Sequence, residues 1–128
     1  MVQQITNGIK ISVKTNFEGN FLQGNKICFS FSYSITIENQ SNDSVQLISR
    51  HWEIFDALNN KTIVDGEGVI GEKPILAPKK SHTYSSFCNL ISPTGSMKGH
   101  FNMINFTTTK NLKVQIPTFQ LTVPAISN

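Results

Sequence analysis

Beyond Glu72 the chain has no carboxylate side chain at all, although lysines continue as far as Lys113. Charged residues make up 15% of the sequence, against about a quarter in an ordinary globular protein. So few solvated side chains suit neither a disordered tail nor a coiled coil. Arg50 is the single arginine, and Lys79–Lys80 is the single adjacent basic pair. Nucleic-acid surfaces cluster Lys and Arg on one face, so the pattern argues against a nucleic-acid partner despite a net charge of +3. No apolar run approaches the ~20 residues that cross a bilayer as a helix, which argues against a membrane. Met1 to Lys10 lacks the apolar stretch of a secretory leader. A cytoplasmic location is therefore expected, with Cys28 and Cys88 kept reduced.

What the chain does have is alternation. Phe29, Phe31, Tyr33, Ile35 and Ile37 are apolar, and Ser30, Ser32, Ser34, Thr36 and Glu38 lie between them. Successive strand side chains point to opposite faces, so this is a strand with one dry and one wet face. Such alternation belongs to antiparallel sheets. Ile9, Ile11 and Val13 form a shorter strand ahead of it. Asn39 to Ser44 is a turn cluster. Val45 to Phe55 is the next strand, and its apolar phase changes near Leu47 and Ile48, which predicts a β-bulge there. Leu58 to Asn60 reads as a hairpin tip leading into Lys61 to Val64. Gly66 to Lys80 reads as a loop or short edge strand, Ser81 to Cys88 as extended, and Ser92 to Ser96 as a turn. Two strands follow, Met97 to Phe106 and Leu112 to Leu121, with Pro117 assigning the last to an edge. No long helical period occurs. About seven strands predict an all-β, two-sheet antiparallel sandwich of immunoglobulin or fibronectin type III shape, one domain over residues 1–128.

Gly66-Glu67-Gly68-Val69-Ile70-Gly71 spells a dinucleotide-binding string, but that mechanism needs a helix to follow it. Pro74 and Pro78 would fall inside such a helix, at about 3 kcal/mol each. A glycine-rich loop remains, able to approach a ligand or simply to adopt positive φ. On the Ser49-Arg50-His51-Trp52 strand, Arg50 shares a face with Trp52, and His51 shares the other with Ser49. One reading pairs Arg50 with a carboxylate beside a core tryptophan; the other makes Arg50 and His51 anion-recognition groups. Cys28, Trp52 and Cys88 echo an antibody domain, but two buried thiols fit better than a bridge. The histidines and cysteines lack zinc spacing, and Asp65, Glu67 and Glu72 lack the period of a calcium loop. No serine sits in a nucleophile elbow. The reading is of a non-enzymatic domain with neither metal nor cofactor.

The segments Ser49–Trp52, Gly66–Gly71 with Pro74, Leu76 and Pro78, and Gly95-Ser96-Met97-Lys98-Gly99, taken in this order, resemble the ApaG family. Tyr84 and the closing Ile116-Pro117-x-Phe119-x-Leu121 match as well, so the resemblance runs from about Gly8 to Leu121. It implies a fibronectin type III-like sandwich. Bacterial members are associated by name with divalent cobalt and magnesium tolerance and with the neighbourhood of diadenosine polyphosphate breakdown. Related domains in eukaryotic F-box proteins and a polymerase-interacting protein imply binding. The resemblance carries over no catalytic set. Two positions depart from it: Lys79 stands where glycine commonly follows the proline, and Phe101 where tyrosine is common.

The expected function is therefore binding of one or more protein partners, with Arg50, His51, Gly66, Glu67, Gly68, Gly71, Ser96 and His100 as the contact candidates. The alternative is a sensor of a small anionic ligand, a nucleotide or polyphosphate with or without a divalent metal, held by the Gly66–Gly71 loop.

Overall fold

The structure is a computed structural model describing residues 1–58 and 61–124. It is an all-β sandwich of two antiparallel sheets. The strands are β1 (Val2–Thr6), β2 (Ile9–Gln23), β3 (Lys26–Asn39), β4 (Val45–Asp56), β5 (Thr62–Glu67), β6 (Ile75–Leu76), β7 (Ser81–Leu90), β8 (Thr94–Asn105) and β9 (Asn111–Thr122). One sheet runs β1-β2-β3-β7 and the other β5-β4-β8-β9, with β6 also pairing with β4. Against the expected seven or so strands, the addition is β1, while the two-residue β6 lies in the stretch read as a loop or short edge strand and buries Leu76. β1 has no dry face of its own to announce it, since every side chain of Val2–Ile5 is exposed. β2 also runs ten residues beyond Val13, out to Gln23.

The alternation in β3 places Phe31, Tyr33, Ile35 and Ile37 in the core. Trp52 comes from the facing sheet and sits among Tyr33 and Phe119, with ring centroids 5.6 and 5.8 Å away. These are edge-to-face arrangements, the favourable geometry for aromatic quadrupoles. The predicted bulge is present, as a register shift between Leu47 and Ser49 in the pairing of β4 with β8. Pro117 lies on β9, at the end of its sheet, within a second shift opposite Met97–Gly99. Both Cys28 and Cys88 are buried free thiols. Burial, followed by the charge of Asp56, pushes the Cys88 thiol up to about 11.

One expected turn differs. Ile91–Pro93 forms the bend, while Gly95 and Ser96 belong to strand β8. Gly95 is required by close approach rather than by turning, because a Cβ there would strike the Phe55 carbonyl oxygen. The hairpin tip read at Leu58–Asn60 falls partly outside the described residues.

The Asn39–Ser44 turn is organised by Asn39, which is fully buried. Its Nδ2 donates to the carbonyls of Asp43 (2.8 Å) and Leu76 (2.9 Å). Its Oδ1 accepts from the amide and hydroxyl of Ser41, at 3.0 and 2.6 Å. Its backbone closes onto Lys80 O and Lys79 N. One residue thus ties β3 to β6 through its side chain and to the β6–β7 connection through its backbone.

Candidate functional site

Because β4 alternates, Arg50 and His51 point into different worlds. They do not form one anion-recognition set, and the candidate residues divide into two groups.

His51 faces outward in a row with one residue from each long strand of its sheet: Asp65 on β5, His100 on β8 and Gln115 on β9. Its Nδ1 lies 2.6 Å from Asp65 Oδ1. Its ring stacks on His100 with centroids 4.9 Å apart. Glu53 lies in the next row, bonded to Lys61 at 3.0 Å, and Lys61 holds its carboxyl below the usual range. Burial, then the charges of Lys113 and His51, keep His100 below the ordinary histidine value. A cleft of about 300 Å³ lies over this row, lined by Gln4, Lys98 and Lys113 as well as the two histidines. The His51–Asp65 pair is half of a base-and-orienter arrangement. The nearby Ser49 hydroxyl instead accepts from Asn102 Nδ2 at 2.9 Å. Among the described residues no hydroxyl bonds to either stacked histidine, and no three His, Cys, Asp or Glu side chains could hold a metal ion. Ser96 shares the outer face two rows from His100.

Arg50 faces inward, beside Trp52, at the open side between the sheets. Its Nη1 donates to the carbonyls of Glu67 (2.9 Å) and Gly68 (2.8 Å), not to a carboxylate. The reading that paired Arg50 with an acid is thereby corrected: the loop's own carbonyls supply the acceptors. Gly66 is opposite Arg50 in the β4–β5 register. A Cβ at Gly66 would lie 2.7 Å from the guanidinium carbon, so glycine there makes room for arginine.

The glycine loop is a tight turn. Gly68, Ile70 and Gly71 all have positive φ, at 58°, 49° and 73°. The Gly68 amide donates to Ile48 O, while Val69 and Glu72 exchange amide–carbonyl bonds. Three amides that a phosphate cradle would need are therefore spent inside the turn. A Cβ at Gly68 would also strike the Glu72 carbonyl oxygen. The loop thus bridges β5 to β6 along one edge of β4 and frames Arg50.

Behind the loop lies a recess of about 170 Å³, lined by Arg50, Tyr33, Tyr84 and Ser86 together with Glu67 and Val69–Gly71. Tyr84 is 9% exposed, and its hydroxyl has no hydrogen-bond partner. Burial pushes the pKa of that hydroxyl far above the ordinary tyrosine value, so it stays a neutral donor. Phe101, where the resemblance expects tyrosine, packs on the Tyr84 ring at 6.5 Å and offers no hydroxyl. Glu67 is held by Lys73 at 2.8 Å, which lowers its carboxyl. Sequence reasoning passed over Tyr33, Ser86 and the hydroxyl of Tyr84. The signal was there: a tyrosine at an inward strand position carries a polar tip into the core, where it needs a partner.

Comparison with known proteins agrees with this fold. The ApaG domain family matches residues 20–105. A Protein ApaG of Anaeromyxobacter dehalogenans is 37% identical over the whole length of both chains. One from Vibrio cholerae is 40% identical over 94% of each. The ApaA protein of Bordetella pertussis, solved by crystallography, superposes with a TM-score of 0.81 at 30% identity, covering 92% of this chain and 95% of that one. An X-ray structure of a structural-genomics target gives a TM-score of 0.88 at 32% identity, covering 94% and 91%. The chain belongs to the ApaG family.

Proposed function

We propose that this ApaG-family chain is a single cytoplasmic domain, residues 1–128, that binds a protein partner and performs no reaction of its own. The observation that supports it is the recess between the sheets. Arg50 is anchored there by two loop carbonyls, and a buried tyrosine hydroxyl faces it without a partner. A polar group buried without a hydrogen bond costs about 1–3 kcal/mol, and binding sites are where such a cost is offset by a ligand. Exposed Ile70, 63% accessible, stands at the mouth and offers an apolar contact. The histidine row is the less suitable surface, because His51 is already paired with Asp65 and Glu53 with Lys61.

Affinity capture from cell extract with three baits tests this reading: the native chain, Ile70→Asp at the recess mouth, and His100→Ala on the outer face. A partner retained by the native chain and His100→Ala, and lost tenfold or more with Ile70→Asp, is the expected result. Identical proteins recovered by all three baits would overturn the assignment of this surface.

A further inference from the structure

We propose that the free edge of β7 accepts an extended segment of a partner protein as an added strand, with an acidic side chain of that segment lodged against Arg50 and Tyr84. This rests on the partner-binding reading and specifies the chemistry of the partner.

Strand β7, Ser81–Leu90, ends the four-stranded sheet. Edge strands are ordinarily blunted by lysine, proline or a bulge, because their unpaired amides and carbonyls invite another chain. The β9 edge has both a proline and a bulge, and β1 and β9 lie against each other on that side of the sandwich. The β7 edge has none of these devices. Its ten residues include no proline, its register with β3 is unbroken from Phe29↔Leu90 to Glu38↔Ser81, and His82 is its one readily ionisable side chain.

The glycine turn stands beside this edge. A recess of about 350 Å³ separates Val69, Ile70 and Glu72 from His82–Ser85. It shares Val69, Ile70 and Tyr84 with the Arg50 recess, so the two adjoin along these residues. Strand addition takes its affinity from main-chain hydrogen bonds and its specificity from pockets for alternate side chains.

The Arg50 pocket decides which side chain. Both bonds of the guanidinium run from Nη1, and among the described residues nothing accepts from Nε or Nη2. The Tyr84 hydroxyl is a second unspent donor. Two donors around one recess call for an acceptor with two oxygens, and a carboxylate matches a guanidinium fork. Glu72, 3.8 Å from His82, rims the outer recess and disfavours a second acid there. Side chains two apart on a strand share a face. The segment therefore carries Asp or Glu at one position and a neutral or basic residue two positions away.

A displayed library of seven-residue segments, selected against the intact chain, tests the proposal. Enrichment of Asp or Glu at a single position is expected. For an enriched peptide, Arg50→Gln and Tyr84→Phe should each weaken binding tenfold or more, as should Asp→Asn or Glu→Gln in the peptide. N-methylation of the amides facing β7 should abolish binding, while methylation of the alternate amides leaves it intact. Tyr84→Phe removes only the hydroxyl and keeps the ring, so it remains informative should Arg50→Gln fail to fold. Enrichment without an acidic position, or binding indifferent to both variants, would overturn the proposal. So would a chain that sediments as a dimer the peptide does not dissociate, since the edge would then belong to a second copy. Acetate alone giving amide shifts in the recess, with no peptide selected, would reduce the site to a free-anion pocket and also overturn strand addition. If the capture experiment finds a recess-dependent partner while the library yields no acid, this inference falls and the partner-binding reading stands.

Discussion

Two of the polar side chains buried in this sandwich, Asn39 and Tyr84, are treated in opposite ways. Asn39, fully buried at the turn after β3, has both side-chain atoms and both backbone groups bonded. Tyr84, in the cleft beside Arg50, has a hydroxyl bonded to nothing. In a medium of low dielectric, a satisfied polar group specifies one arrangement, whereas an unsatisfied one costs stability. The first region is finished as architecture. The second is finished only when something enters it.

The contrast is sharpest at Asn39. Replacing it by alanine removes the acceptor of the Ser41 amide and the side-chain donor of the Leu76 carbonyl, and leaves the Asp43 carbonyl with the Ser41 hydroxyl alone. We expect Asn39→Ala to cost about 3 kcal/mol, the scale of several buried groups left unpaired, measured by urea unfolding. A loss under about 0.5 kcal/mol, within the range of ordinary surface substitutions, would mean that water replaces the side chain and that this end is less closed than its bonds suggest. Tyr84→Phe should move in the opposite direction. It removes a hydroxyl that has no partner, so the free chain should gain about 1 kcal/mol while losing ligand. A variant that loses stability would show the hydroxyl already satisfied, by water or by a neighbour, and would erase the contrast. The smallest effect lies at Lys79, whose amide donates to Asn39 O at 2.7 Å. Its φ of +70° is a conformation that favours glycine. Lys79→Gly should therefore stabilise by about 0.5 kcal/mol, the relieved strain being partly offset by the greater freedom of glycine in the unfolded chain. A gain confined to thermal unfolding of the native chain, and absent when Asn39 is already alanine, would tie the two residues into one unit.

Much of the frame was legible. The β3 strand follows from its unbroken alternation, and the bulge in β4 from a phase change at Leu47–Ile48 that no straight strand satisfies on one face. The edge position of β9 follows from Pro117, which cannot donate to a ladder. The departure at Lys79 was also visible, and the structure supplies its consequence as a left-handed residue. Illegible were β1, whose side chains are exposed on both faces, and the far half of β2. β1 buries no dry face of its own, and beyond Val13 the β2 strand packs only Phe17 on the core, so periodicity had little to detect. At the site, alternation separated Arg50 from His51 correctly, but not what each would meet. Arg50 meets carbonyls seventeen and eighteen residues away, and His51 meets Asp65 across a hairpin.

By itself the sequence determined which side chains face inward, because a period of two is a property of the extended backbone and needs no partner strand. It also excluded a helix after the glycines, since two prolines forbid it. Tertiary structure alone decided where the unused hydrogen-bonding capacity lies. Whether the Tyr84 hydroxyl, the remaining Arg50 donors and the β7 edge find partners depends on which strands pack beside them, and strand order is set by contacts far apart in the chain.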